Sequence, residues 1–443
     1  MGTQAAVARD SLETRTIRKL QKRILPYIFL LYIVAFLDRI NIGFAALTMN
    51  KDLAIASQQF GLLSGIFFWG YFLFEIPSNV LLHKIGPRIW IARILISWGA
   101  VSLLTCLAQN VVQVYILRFL LGVAEAGFFP GIILYLTYWF RQREQAQAVA
   151  LFMTAIPVSN IIGAPVSGLI LDHVTWFGVS GWRWLFVLEA LPAVLLGILT
   201  YYLLPGRPAE ARFLAPEERD WITSELAGEE QNKLQERRMS AVEALVDRRV
   251  WHLALIYFFL LLGSYGTAFW MPQIVKALSK QWSNTQVGTM VMIPYVAGLI
   301  AMILVSRHSD RTLERRYHIA IPATIAGIAM LAFVTTHSPS LSVALLSVVV
   351  MADSSTRGPF WSVPNQFLCG ISAASGIALI NSIGNLGGFV GPYALGVINK
   401  KTGNLQGGLA LLGLSLFVSA VLAVLLPGGK RGESAVKVKA CGK

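Results

Sequence analysis

Along this chain, apolar runs of about 20 residues alternate with short polar breaks almost from one end to the other. About 20 apolar residues is the length a helix needs to cross the hydrocarbon of a bilayer at 1.5 Å per residue. The pattern predicts twelve spans, near 26–48, 59–82, 89–108, 113–139, 147–171, 182–204, 250–273, 286–305, 317–336, 340–361, 374–398 and 406–427. Pro26 opens the first run, where its missing N–H costs nothing in a first helical turn. That run is too long for the apolar stretch of a signal peptide and is read as a retained span.

The one long polar interruption is 205–249, opened by Pro205-Gly206 and closed by Arg248-Arg249, with six spans on either side. Inside it, Ser240-Ala-Val-Glu243 has the form of a capping box, which predicts a short helix leading into the seventh span. The expected organisation is a cytosolic tail (1–25), a six-helix bundle (26–204), a cytosolic linker with a short helix (205–249), a second six-helix bundle (250–427) and a cytosolic tail (428–443).

Composition agrees with this all-α membrane architecture. Only 14% of the residues are charged and 55% are hydrophobic, whereas a soluble domain carries about 25% charged residues. A net charge of +14 would raise nucleic-acid binding in a soluble protein; here its placement matters more than its size. Six Lys and Arg lie in residues 1–25, eight in 205–249 and five in 428–443, against one in 49–58 and two each in 274–285 and 399–405. The positive-inside rule then puts both termini in the cytoplasm, the break between spans ten and eleven being a local exception. No nucleic-acid partner is expected. Cys106, Cys369 and Cys441 are scattered and form neither a disulfide framework nor a metal site, and no cofactor is implied.

Two short matches between the halves share one offset of 227 residues. Asn79-Val-Leu-Leu-His83-Lys-Ile-Gly86-Pro-Arg88 faces Ser306-Arg-His-Ser-Asp310-Arg311…Arg315-Arg316, and Gly163-Ala-Pro165 faces Gly391-Pro392. A common offset predicts two parallel bundles related by an axis along the membrane normal.

Charge inside the spans is the candidate chemistry, because an ionisable group at mid-bilayer costs roughly 2.5–3.5 kcal/mol on insertion scales and is normally retained for a cavity. Asp38 and Arg39 fall near the middle of the first span. Arg118 and Glu125 share a face of the fourth, two turns apart. Asp353 and Arg357 share a face of the tenth, where a self-neutralising structural pair and a functional one are equally open. Asp38, Arg39 and Glu125 together exceed what packing needs: two acids beside arginines suit proton and anion traffic. Arginine keeps its charge and offers a planar fork to a carboxylate, whereas a buried acid exchanges protons. Glu75 is read as a solvated or gating residue near the inner end of span two, Glu189 as structural and His173 as solvated. Tyr71, Phe360 and Trp361 are packing aromatics or walls of a site.

The inner-loop pair and the Gly-Pro of span five resemble the major facilitator superfamily, whose loop signature is G-x-x-x-D-R-x-G-R-R. The first copy has Asn79 and His83 for the Gly and Asp; the second keeps Asp310 and Arg311. The resemblance implies gating by Asp310, Arg311 and Arg88, the alternative being a basic cytosolic anchor. FLDRINIGFA (36–45), RFLLGVAEAGFFPG (118–131), GPFWSVP (358–364) and INSIGNLGGFVGP (380–392) further resemble the anion:cation symporter branch. Members carry galactonate, glucarate, tartrate, phthalate and hydroxyphenylacetate, and include sialin and the vesicular glutamate transporters. That resemblance implies proton coupling through Asp38 and Glu125, and substrate binding by Arg39, Tyr71, Arg118, Trp361 and Asn381, with Arg357 a further candidate. Ala155-Ile-Pro-Val-Ser-Asn160 lacks the fifth-helix Gln of the sugar-acid members, which argues against a polyhydroxylated sugar acid. The expected activity is proton-coupled import of a small organic anion through the lipid bilayer by a monomer in the inner membrane. A facilitator or exchanger is the alternative. No HExxH, GxSxG or Cys/His cluster supports an enzyme.

Overall fold

The computed structural model describes residues 2–235, 240–368 and 371–426. Its helices are α1 (Gly2–Asp52), α2 (Ser57–Ile85), α3 (Pro87–Thr105), α4 (Val111–Glu125), α5 (Phe128–Thr137), α6 (Gln142–Met153), α7 (Ala155–His173) and α8 (Gly181–Leu203). After the central interruption come α9 (Pro216–Gln235), α10 (Ala241–Val246), α11 (Arg248–Leu278), α12 (Asn284–Thr312), α13 (Arg316–Thr335), α14 (Pro339–Ser362), α15 (Ile371–Thr402) and α16 (Gln406–Val424). No strand occurs among the described residues. Among the described residues, eleven spans are long and apolar enough to cross a membrane. The 32-residue α15 supplies the twelfth helix of the expected set, its apolar run diluted by glycines and asparagines. Leucines, isoleucines and valines such as Leu104, Ile116, Leu195, Ile300, Ile321 and Val421 are exposed on the outside of the bundle, as contact with hydrocarbon allows.

Three local expectations are corrected. Pro26 does not open a helix; α1 runs through it for 51 residues, roughly 75 Å at 1.5 Å per residue. The helix continues because its N-terminal part is docked. Arg15 and Lys19 each donate to the fully buried Glu218 carboxylate of α9, both at 2.8 Å. Second, the fourth span is two helices, α4 and α5, broken at Ala126-Gly127. Gly127 has φ +84, a conformation that disfavours side chains. Ser78 of α2 donates to the freed Ala126 carbonyl at 2.6 Å, so the break leaves no orphaned acceptor there. Third, the linker holds a 20-residue helix, α9, besides the expected short one. The short one is α10, and Ser240 and Glu243 form its capping box.

The repeat is visible in the helices themselves. α2 and α12 are both 29 residues long, and their ends are offset by 227. The halves meet along two corresponding helix pairs, α2 with α15 and α7 with α12. At Gly288 a Cβ would run into the Ala164 carbonyl, and at Gly168 into the Asn284 carbonyl, so these backbones touch. Polar bonds seal the same end, where α2 and α12 begin (the far end). Asp172 accepts from Asn284 N–H and Nδ2 at 3.2 and 2.8 Å, and from Thr285 N–H and Oγ1, each at 2.7 Å. At the equivalent point 227 residues on, Asn399 donates to Ser57 at 2.9 Å.

Candidate functional site

Between the halves lies a cavity whose walls come from both. Phe36 of α1 and Pro157 and Asn160 of α7 face Ser264 and Tyr265 of α11, Tyr295 of α12, and Asp353 and Arg357 of α14. Arg39 projects from α1, one helical turn after Phe36, and is only 7% exposed. It forms an ion pair with the Glu125 carboxylate, and its second terminal nitrogen donates to the Tyr265 hydroxyl of the other half at 3.0 Å. The rings of Phe36, Phe67 and Tyr71 lie 5.1–5.6 Å from its guanidinium carbon. An arginine desolvated among aromatic faces and one carboxylate is poised to exchange that carboxylate for another.

Glu125 is the last residue of α4, immediately before the Gly127 break, so its ion pair ties α1 to a helix discontinuity. Arg118, fully buried two turns earlier, donates to the Arg39 carbonyl at 3.2 Å. Its Nε and Nη1 have no hydrogen-bond partner among the described residues. Arg118, Arg39 and Glu125 are thus brought together, as the common face of span four predicts.

Asp38 is not part of that group. Successive residues on a helix diverge by about 100°, and Asp38 turns to α3, accepting from Trp98 Nε1 at 2.6 Å and Ser102 Oγ at 3.0 Å. Asn41 donates to it at 3.4 Å. Glu189 is buried behind it on α8, accepting from Ser167 at 2.6 Å.

On the opposite wall Asp353 accepts from Arg357 at 3.2 Å and from Ser264. Trp361 stands half-buried with its ring 5.1 Å from that of Tyr257 and 6.4 Å from that of Phe129 in the other half. Tyr71 is buried beneath Arg39. Asn381 is engaged elsewhere: with Ser382 it holds the Glu75 carboxylate, at 2.7 and 2.6 Å. Glu75 is fully buried, so a solvated Glu75 is excluded.

Two of the three loop residues sit on partners within their own half. Arg88 donates to the Tyr201 carbonyl at 2.6 Å and lies over that ring; Asp310 pairs with Arg315 at 2.7 Å; Arg311 is exposed. Tyr265, Tyr295 and Ser264 escape the sequence reading, and Asn160 enters it only as part of the stretch that lacks Gln. An uncharged polar residue in an apolar span carries no signal of the face it occupies.

The comparisons with known proteins agree with this architecture. A "Putative tartrate transporter" of Agrobacterium vitis is 47% identical over 95% of this chain and 93% of its own length. A "Quinolone resistance transporter" of Acinetobacter baumannii is 39% identical over 94% and 95%. The inward-open xylose transporter XylE from E. coli superposes with a TM-score of 0.75 over 94% of this chain and 98% of its own, at 15% identity, a likeness of fold alone. Each is named for transport rather than for an enzymatic reaction. Residues 28–392 match the Major Facilitator Superfamily, and the chain, a multi-pass membrane protein that transports small molecules, belongs to that family.

Proposed function

We propose that this chain is a proton-coupled symporter of a small organic carboxylate, working by alternating access in a bacterial inner membrane with both termini in the cytoplasm. The carrying observation is the buried Arg39–Glu125 ion pair beside the inter-half cavity, with Tyr265 of the other half on the same guanidinium. A substrate carboxylate and Glu125 compete for one fork. Protonating Glu125 withdraws one competitor and leaves Arg39, with the spare donors of Arg118, to the anion. Proton and anion therefore favour each other's binding, which is the requirement of symport. Asn160, Tyr265 and Tyr295 add hydrogen-bonding groups and Phe36 an apolar wall, a lining that suits a hydroxy acid or an aromatic acid. The relative named for tartrate supports that substrate class.

Asp38 acts differently in this scheme. Its bonds to Trp98 and Ser102 fix α1 against α3 and so present Arg39 to the cavity. Tyr71 and Trp361 wall the path, and the Asp353–Arg357 pair supplies the polar group of the opposite wall.

Proteoliposomes holding the purified protein should take up radiolabelled tartrate uphill when an inward proton gradient is imposed, and a protonophore should collapse the accumulation. Equilibration without accumulation under the same gradient would replace symport by facilitated exchange. The orientation has its own check, since a reporter fused after residue 228 should read cytoplasmic; a signal from the other side would invert the topology.

A further inference from the structure

The interface between α2 and α15 is antiparallel and continuous. Ser57 meets Asn399, Gln58 meets Lys400 at 3.0 Å, Gly61 abuts Pro392, Gly65 abuts Phe389 and Phe68 meets Gly388. The same register then brings Glu75 onto Asn381 and Ser382. From Ser57 to Glu75 the seam runs about 27 Å at 1.5 Å per residue. Its far-end part is glycine-packed backbone; at Glu75 it becomes a carboxylate held by two neutral donors of the other half. Past that point α2 continues to Ile85 with Val80, Leu81 and Ile85 exposed.

The repeat holds no counterpart of this carboxylate. Adding 227 to Glu75 gives Met302, a buried apolar side chain on α12. Subtracting it from Asn381 and Ser382 gives Thr154, just before α7, and Ala155, its first residue. The corresponding positions of α7 and α12 therefore carry no acid. Among the buried acids Glu125 and Asp353 each pair with an arginine, whereas Glu75, like Asp38 and Glu189, accepts only from neutral donors, and alone of these its donors come from the other half. The ionisable groups facing it are Tyr71, one turn back on α2, and Arg39 of α1, whose guanidinium carbon lies 5.6 Å from the Tyr71 ring centroid. α15 contributes Asn381 and Ser382, neither of which titrates.

We propose that Glu75 is a proton-operated latch between the halves, closing α2 on α15 as the carboxylate and releasing the end away from the seal when protonated. A carboxylate accepts both bonds at charge-assisted strength, about twice that of neutral ones; the acid form keeps one acceptor oxygen and must turn its hydroxyl to a donor's lone pair. Resting on the symport reading above, this makes Glu75 a further proton site for the transport cycle. Protonation opens the end at which α2 finishes, and deprotonation there closes it again. For a doubly charged substrate it supplies a proton beyond those of the arginine-paired acids.

Spin labels at Leu81 and Ser375, in a variant with the three cysteines replaced, test the latch in nanodiscs without any substrate. The expected result is one short distance at pH 8 and a growing longer one at pH 5. Glu75→Gln, which keeps the shape but not the charge, should show the longer distance at both values. Ser382→Ala, which keeps the carboxylate and removes one donor, should enlarge the longer population at pH 8. A pH-independent distance in the unmodified chain, or an unchanged pH response in Glu75→Gln, would overturn the latch. Because substrate and gradient are absent, a failure of symport would leave this result standing, and a failure here would leave uphill uptake untouched.

Discussion

Arg39→Lys should lower the affinity for a carboxylate substrate about 30-fold or more while the protein still folds and inserts. Lysine keeps the positive charge, so the buried Glu125 is not left without a counter-ion and the insertion cost is unchanged in kind. What disappears is the planar fork. Arg39 bonds Glu125 with one terminal nitrogen and Tyr265 of the other half with the second; a single ammonium on a flexible stem does not hold both in a fixed plane. Losing one partner of a buried, hydrogen-bonded charge pair costs about 2–5 kcal/mol, and lysine, which retains the charge, belongs at the lower end. Each 1.4 kcal/mol is about tenfold, hence the expected loss. The three aromatic rings around the guanidinium sharpen the effect, since they favour a flat, weakly hydrated cation over an ammonium. Calorimetric titration of purified protein with tartrate and hydroxyphenylacetate measures it, and the melting temperature serves as control. An unchanged affinity would move the anion to Arg118 or Arg357.

Much of this site is legible without coordinates because the bilayer makes charge conspicuous. Arg39, Arg118, Glu125, Asp353 and Arg357 stand out against apolar runs, and a two-turn spacing correctly puts Arg118 and Glu125 on one face. The family fold follows from the same runs and from the 227-residue offset. What stays hidden is direction. Asp38 and Arg39 are adjacent in sequence yet serve different helices, because one residue step rotates a side chain by about 100°. Glu75 reads as a solvated or gating residue near a span end, and only the α2–α15 seam reveals that Asn381 and Ser382 cover it. Asp172 and Asn399 lie at helix ends, where polar residues are ordinary, so their bonds across the halves leave no mark in the pattern. The helix in the linker escaped notice because α9 is polar on nearly every face. Its one telling residue is Glu218, whose partners Arg15 and Lys19 are about 200 positions away.

Glu125→Gln should abolish uphill accumulation while exchange survives. Glutamine preserves the length and one acceptor oxygen, so Arg39 keeps a partner, but it neither carries a proton nor competes as an anion. If one proton accompanies each monoanion, every pH unit of inward gradient supports about tenfold accumulation, since one unit corresponds to 1.36 kcal/mol. The unmodified protein should follow that relation; the variant should settle at a ratio near one. Counterflow of labelled against unlabelled substrate, which needs no net proton movement, should persist at an appreciable rate. The position of the residue explains why the two activities separate. Glu125 sits where α4 ends and the chain turns at Gly127 into α5, with Ser78 bonding the Ala126 carbonyl and Trp90 bonding Ser78 at 2.9 Å. Neutralising the side chain frees Arg39 for the anion without disturbing those backbone contacts, so the empty and loaded carrier both remain able to rearrange. The variant should thus behave as a carrier locked in the protonated form, exchanging substrate without the step that would couple it to the gradient. Accumulation equal to that of the unmodified protein would remove Glu125 from the proton path and leave Glu75, Asp38 and Asp353 as the acids still to be tested by the same assay.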